Sequence, residues 1–345
     1  MKLIIALLLC CISTFAAAAG DLHLLTWSDY IDPEIPRQFE KLTGTSVKID
    51  VYEDTEAMMA KLQAAGGESQ YDLVIVTDHA IPVLAKLGLI QKLDPAKLPN
   101  AKNVDARFVK PPYDPEGAYS VAYQWGTVGI IYNKKLAGFT PSWSMLLDPA
   151  RQPGKFLMLD SMRDTLGAAL KLNGASVNAD KPDDLKKAME TLIAAKQSEK
   201  FAGFSGSPNA ARQVAGGQAD LAMAYNGDAL NAIKEDKSSS CDYVVPAEGS
   251  IIWVDTMVIT SKAPNPDAAH QFINHILDAK VGAQLSNYIH YATPNAAAVS
   301  AIDPQSRNDT RIYPPEDQLK RMEYLKDMAD QTSLYDEAWT AIKSR

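Results

Sequence analysis

After residue 20 the chain alternates short apolar runs with amphipathic stretches, and the alternation is regular enough to read as a fold class. Residues 22–26, 47–51 and 73–76 are apolar or β-branched runs of strand length. The stretches 35–42, 56–65 and 81–87 carry apolar residues at helical spacing and stop at Gly44, Gly66-Gly67 and Gly88. A βαβαβ series of this kind predicts a mostly parallel sheet with helices on both faces. In such sheets ligands bind beyond the carboxyl ends of the strands. Residues 27–30 and 77–79 occupy that position.

Residues 94–117 are rich in Pro, Asn and Lys and predict irregular surface structure. The apolar run 118–131, interrupted by Gly126 and Gly129, predicts extended chain passing from one lobe to another. A second α/β unit then follows: strand 156–159, helices 163–172 and 182–195, helix 208–215, strand 220–225, helix 228–235 and strand 242–245. The long β-forming run 251–260 predicts a return crossing, and helices 266–277 and 281–288 would rejoin the first lobe. The tail predicts helices over 315–330 and 334–344. Two lobes joined by two crossings form a hinge, placed near residues 125–133 and 253–259, and a ligand held between them can drive closure.

The first residues change the picture of where this unit resides. Met1-Lys2-Leu3, the apolar run 4–11 and the small residues 16–19 predict a secretory signal peptide cleaved after Ala19. The run is too short to span a bilayer. The mature chain is expected to be exported and soluble. Cys10 and Cys11 would leave with the signal, so Cys241 has no intramolecular disulfide partner. Removing Lys2 takes the formal charge from −8 to −9. An acidic surface argues against nucleic acid and anionic membrane as partners and mildly favours cationic ligands.

Catalytic patterns are weak. Gly203-Phe204-Ser205-Gly206-Ser207 misses the nucleophile-elbow spacing at its last position and has no predicted strand directly before it, which leaves an exported hydrolase as a remote alternative. His23, His79, His270, His275 and His290 show no metal-ligand spacing, and no glycine-rich phosphate loop or CxxC pair exists. No cofactor and no metal are expected.

Binding chemistry is better represented. Three separated segments each put an aromatic ring within a few residues of a carboxylate: Trp27-Ser28-Asp29-Tyr30, Tyr225-Asn226-Gly227-Asp228 and Trp253-Val254-Asp255. Rings offer negative π-faces and carboxylates offer charge and acceptors, which together suit an organic ammonium ion. Each member also has an ordinary structural reading. Trp27 and Trp253 could be core residues, Asp228 a helix N-cap, and Asp164 a first-turn carboxylate favoured by the helix dipole.

These residues resemble the periplasmic polyamine-binding proteins of bacterial ABC importers over essentially the whole mature length. The resemblance is carried by Thr26-Trp27-Ser28-Asp29-Tyr30-Ile31, Tyr71-Asp72-Leu73-Val74, Tyr123-Gln124-Trp125-Gly126 and Asn226-Gly227-Asp228. It continues through Trp253-Val254-Asp255, Tyr291-Ala292-Thr293-Pro294-Asn295 and Tyr313-Pro314-Pro315. It implies the α/β type II periplasmic binding protein fold, two α/β lobes joined by two crossover strands with a ligand cleft between them. Lobe 1 would comprise 20–127 plus 256–300, and lobe 2 would comprise 128–255 plus 301–345.

The resemblance also implies roles. Trp27, Tyr225 and Trp253 match walls against the alkyl chain, Asp255 the carboxylate that grips one amine, and Asp228 an acid of the putrescine-type members. Ser28, Asp29 and Tyr30 match the enclosing first-strand loop. Thr77 matches a site serine, and Tyr291 a tyrosine that closes the pocket. Departures are Asp164 in place of a longer glutamate, Ser161 in place of a second acid, Leu325 in place of a glutamine, and His79 in place of a stacking tyrosine. They argue against a long triamine. The expectation is a non-enzymatic, monomeric periplasmic protein that takes putrescine or a similar diamine to an inner-membrane permease of an ABC transporter. Alternatives are agmatine, spermidine, or an ω-amino acid such as 4-aminobutyrate, for which Arg163 is the nearby candidate cation. A sensor role toward a membrane receptor also stays open.

Overall fold

The computed structural model describes residues 20–53, 55–64, 70–236, 240–328 and 331–344. The predicted signal peptide and the Gly66-Gly67 helix stop lie outside the described residues. The first βαβαβ series is present as β1 (Leu22–Thr26), α1 (Glu34–Thr43), β2 (Val47–Val51), α2 (Thr55–Ala64), β3 (Leu73–Thr77) and α3 (Ile81–Lys86). Helix α1 forms because Ile35 and Phe39 bury one face, and Gly44 ends it in the left-handed region at φ 77°. Leu73, Val74, Ile75 and Val76 are all fully buried, as expected for a strand covered on both faces.

Strand β4 (Val121–Asn133) follows the predicted irregular stretch. The second series is α4 (Ser144–Leu147), β5 (Phe156–Leu159), α5 (Met162–Leu172), α6 (Pro182–Lys196), β6 (Phe201–Ser205), α7 (Ser207–Ala215), β7 (Leu221–Tyr225), α8 (Asn226–Glu235) and β8 (Cys241–Val244). Strand β9 (Ile252–Ile259), α9 (Pro266–Ile276), α10 (Ala279–Ile289), α11 (Pro304–Arg307), α12 (Glu316–Leu319) and α13 (Thr332–Ser344) complete the chain. Asn265 and Asp278 cap α9 and α10 by accepting backbone N–H groups. Phe272 of α9 meets Phe39 of α1 edge-on at 5.0 Å, so this helix packs against the first half.

The strands form one sheet in the order β2-β1-β3-β9-β4-β7-β5-β6, with β8 also paired to β4. Strands β1, β2 and β3 are parallel, as are β5, β6 and β7. The two long strands join these groups. Strand β9 runs antiparallel to both β3 and the first half of β4. At Thr127 the pairing of β4 with β9 ends, and from Val128 the same strand pairs with β7. Two α/β halves are thus connected through β4 and β9, the α/β architecture expected of the two-lobed binding proteins.

Two expectations are corrected. Phe201–Ser205 is a strand, so Ser205 does follow strand structure. Its hydroxyl donates to the Gly206 carbonyl and accepts from Asn209 Nδ2, and no histidine is among these partners. The tail helix predicted over 315–330 is confined to α12. Glu323 instead forms a parallel bridge with Ile251, accepts an ion pair from Lys171 at 2.8 Å, and draws the chain out across the second half. Helical propensity loses here to tertiary pairing.

Candidate functional site

Register sets the first acid. Antiparallel pairing puts Thr77 opposite Asp255 on one side of β9, and Gln124 opposite it on the other. Asp255 is therefore held mid-sheet where the two halves meet, with its side chain almost wholly buried. Tyr30 and Thr77 are the polar side chains that favour its charge, yet Oδ1 has no hydrogen-bond partner. Burial is the larger effect and pushes its pKa from the ordinary carboxylate range to about 6.

The second acid comes from a strand-to-helix turn. Tyr225 ends β7 and occupies the position before α8, which makes Asp228 the third helical residue rather than the N-cap. A carboxylate in the first turn suits the helix dipole. Burial again dominates and lifts its pKa to about 6. Ser207 and Tyr291 partly offset this, and the facing Asp29 adds to it.

Asp164 lies in the first turn of α5. Its Oδ2 accepts from Ser161 Oγ and from the Tyr225 hydroxyl, both at 2.7 Å. Ser161 thus orients the Asp164 carboxylate. Burial and the neighbouring carboxylate keep the Tyr225 hydroxyl protonated as a donor.

Rings connect these acids. Tyr30 meets Tyr291 at 5.6 Å, Tyr291 meets Trp253 at 4.9 Å, and Trp253 meets Tyr225 at 5.9 Å, all edge-on. Two glycines permit this closeness. A Cβ on Gly227 would lie 2.5 Å from the Tyr291 ring, and one on Gly126 would overlap Asn226 and the Trp253 indole. Trp27 stacks at a tilt on Tyr52 at 4.2 Å, with its indole N–H lacking a partner. Trp253 is buried as a core residue would be, and its ring neighbours are Tyr225 and Tyr291.

Ser28 and Asp29 are exposed at the rim, and Asp29 takes a left-handed conformation at φ 55° that turns Tyr30 inward. The Tyr30 carbonyl accepts from the Tyr123 hydroxyl at 2.7 Å. His79 is half-buried, with Nδ1 3.6 Å from Asp78 Oδ1. Leu325 is a buried apolar residue in the core.

Sequence reading gave no individual role to Tyr52, Asp78, Gln124 or Ser207, although it placed residues 77–79 at a strand end. Tyr52 follows the carboxyl end of β2 as Trp27 follows β1, a signal that was available. Asp78 immediately follows β3 and is fully buried. Among the described residues, no lysine or arginine ion pair involves Asp255, Asp228, Asp164 or Asp78. Arg163 turns elsewhere. It donates to the Lys326 carbonyl at 2.9 Å and to Asn178 Oδ1 at 3.0 Å, and lies over the Tyr335 ring at 4.7 Å.

A family described as bacterial extracellular solute-binding protein matches residues 34–312. The chain belongs to this family. The solute-binding protein is 33% identical over 334 residues to the spermidine/putrescine-binding periplasmic protein of Escherichia coli (strain K12), covering 95% of this chain and 94% of that one. It is 33% identical to the putrescine/cadaverine-binding protein of Pseudomonas aeruginosa, covering 96% and 95% respectively. Among solved structures, a putative spermidine/putrescine ABC transporter from Listeria monocytogenes is similar with a TM-score of 0.86 and 33% identity, over 94% of this chain and 98% of that chain. Solute-binding proteins are not enzymes as a family. No helix among the described residues is long and apolar enough to cross a membrane.

Proposed function

We propose that this solute-binding protein captures a short polyamine, putrescine or a similar diamine, in the periplasm and delivers it to the permease of an ABC importer. One observation carries the reading. A continuous path of rings, Tyr30, Tyr291, Trp253 and Tyr225, links carboxylates that form no ion pair with lysine or arginine among the described residues. Rings shield an alkyl chain from water and attract cationic ends, while Asp255 and Asp228 each supply charge for one amine. Trp27, Ser28, Asp29, Tyr30, Thr77, His79, Asp164, Tyr225 and Tyr291 complete the proposed contact set with Trp253. The names of the relatives, which include putrescine, spermidine and cadaverine binders, support the ligand class.

Three features favour a diamine over a longer amine: the short Asp164, its engagement by Ser161, and apolar Leu325. The ω-amino acid alternative lacks support, because Arg163 is committed to Asn178, Lys326 and Tyr335. Arg212 reaches Asp228 only electrostatically, from an exposed position on α7.

The proposed lobes are 20–127 plus 256–300 and 128–255 plus 301–345. The change of partner along β4 at Thr127 and the packing of α13 on α5 and α6 support that division. Cleavage after Ala19 and function as a monomer belong to the same reading. Thermal-shift titration with putrescine, cadaverine, agmatine, spermidine, spermine and 4-aminobutyrate tests it, since a ligand of the native state raises apparent stability by mass action. Stabilisation by 4-aminobutyrate alone, or by none at 1,000-fold excess over protein, would overturn the proposal.

A further inference from the structure

Helix α8 belongs to the second half of the molecule and α10 to the first, yet the two meet beside the ring path. Helix α8 follows β7, which is paired in parallel with β5. Helix α10 is tied to the first half, because Gln284 donates to Asp32 at 2.7 Å and accepts from Gln38 of α1 at 3.1 Å. Three residues of α8 meet the end of α10 and the two residues after it. Gly227 leaves room for the Tyr291 ring, Asn231 Nδ2 donates to the Ile289 carbonyl at 3.4 Å, and Lys234 Nζ lies 3.3 Å from His290 Nε2. Positions 227, 231 and 234 share one face of a helix. That face, which begins next to Asp228, is given to residues 289–291 of the opposite half.

His290 is held in a conformation that most residues avoid. It takes the left-handed region at φ 56°, where glycine or asparagine is the usual helix stop. A non-glycine residue there costs free energy that its surroundings must offset. The turn aims the next residue, so that Tyr291 enters the ring path between Tyr30 and Trp253 while its carbonyl accepts from Ser286 Oγ. Glycine would make the same turn but would have no imidazole to meet Lys234. Burial and Lys234 hold the His290 pKa below its ordinary value, against the opposing pull of Asp309 and Asp303. The imidazole is therefore neutral at pH 7, and its Nε2 can accept from the Lys234 amino group. Lys234 also lies at the carboxyl end of α10, where the last carbonyls and the helix dipole favour a cation.

Resting on the polyamine reading and its two lobes, we propose that Lys234 and His290 are positioning residues. They form a latch between the lobes that holds Tyr291 in the ring path and slows release of the ligand. Neither side chain belongs to the proposed contact set, so the latch acts equally on every amine that the cleft accepts. Asp228 distinguishes ligands by contact. Lys234, about two turns further along the same helix, sets only how long the lobes stay together.

The test is calorimetric titration and stopped-flow kinetics of the full mature chain with putrescine and cadaverine. The proteins are the wild type, Lys234→Met, Lys234→Arg, His290→Gly and the double variant Lys234→Met with His290→Gly. Methionine keeps much of the side chain's length without its donors, and glycine keeps the left-handed turn without the imidazole. Lys234→Met and His290→Gly should each weaken both amines by the same factor, about 3–10-fold. The loss should appear as faster dissociation, with association within about 2-fold of the wild type. Lys234→Arg should stay within about 2-fold of the wild type, and the double variant should lose no more than either single one, because both remove one contact. Circular dichroism and melting confirm folding, and His290→Asn, which also tolerates the turn, replaces His290→Gly if the latter does not fold. Unchanged dissociation in both single variants, a loss confined to one amine, or fully additive losses in the double variant overturns the latch while leaving the polyamine reading intact. Absence of binding of either amine by the wild type overturns the polyamine reading, and the latch with it.

Discussion

Replacing Asp255 by asparagine separates attraction for ligand from the cost of burying charge. The Asp255 pKa stands at about 6 in the folded protein against 3.8 for an ordinary aspartate, and burial is the main cause. A shift of about 2 units means that the ionised form costs the folded, ligand-free protein up to about 3 kcal/mol at pH 7. A bound ammonium near 4 Å returns roughly 4 kcal/mol at an effective dielectric of 20. Asparagine keeps an acceptor oxygen but removes both effects. We therefore expect diamine affinity at pH 7 to fall about 30–200-fold, while ligand-free melting rises by as much as about 4 °C, at roughly 1.5 °C per kcal/mol for a chain of this size. The sign of the pH effect follows from linkage. The folded protein holds the Asp255 proton more tightly than the unfolded chain does, so the destabilisation is absent below about pH 4. It grows as pH rises and is complete above about pH 6. Calorimetric melting from pH 4 to 8 should show this slope in the wild type relative to the variant. Titration calorimetry gives the affinities. An unchanged Kd together with a lower ligand-free Tm in Asp255→Asn would refute the reasoning.

Amine binding should itself depend on pH, because Asp255 and Asp228 both hold protons near pH 6 that a cation must displace. Affinity should be flat above pH 7 and fall up to about 100-fold between pH 7 and pH 5, with proton release visible in buffers of different ionisation enthalpy; a flat profile down to pH 5 contradicts this. Gly227→Val should displace the Tyr291 ring and weaken amine binding about 10-fold or more, with a smaller loss from Gly227→Ala, measured by titration on folded variants. Arg163→Met should leave amine affinity within about 3-fold but lower the Tm, because its hydrogen bonds tie α5 to the tail rather than to ligand; a loss of binding comparable to Asp255→Asn would place Arg163 in the cleft after all.

Much of the fold was readable because its signals are local. Apolar runs such as Leu73–Thr77, helix faces such as Ile35 and Phe39, and the stop at Gly44 act over a few residues. The ends of strands also locate ligands in such sheets, so Trp27 and Tyr225 could be named without coordinates, whereas Asp255, which lies inside β9, was named from its ring-and-acid segment and the resemblance. The tail was misread for the opposite reason: Glu323 pairs with Ile251 and Lys171, and nothing near it in sequence announces those partners.

By itself the chain determined a two-part α/β protein with rings beside carboxylates in three separated segments. Only the tertiary structure decided which of them face one another. The registers of β3 and β4 against β9 bring Thr77 and Gln124 to Asp255 from distant parts of the chain. Packing against Gly227 seats Tyr291 beside Asp228, and hydrogen bonds from Ser161 and Tyr225 orient Asp164. The physical reason is that periodicity records which residues leave water, whereas their charge, orientation and free acceptors depend on neighbours chosen by long-range pairing. Asp78 shows the difference: it reads as a polar residue after a strand, yet it is fully buried.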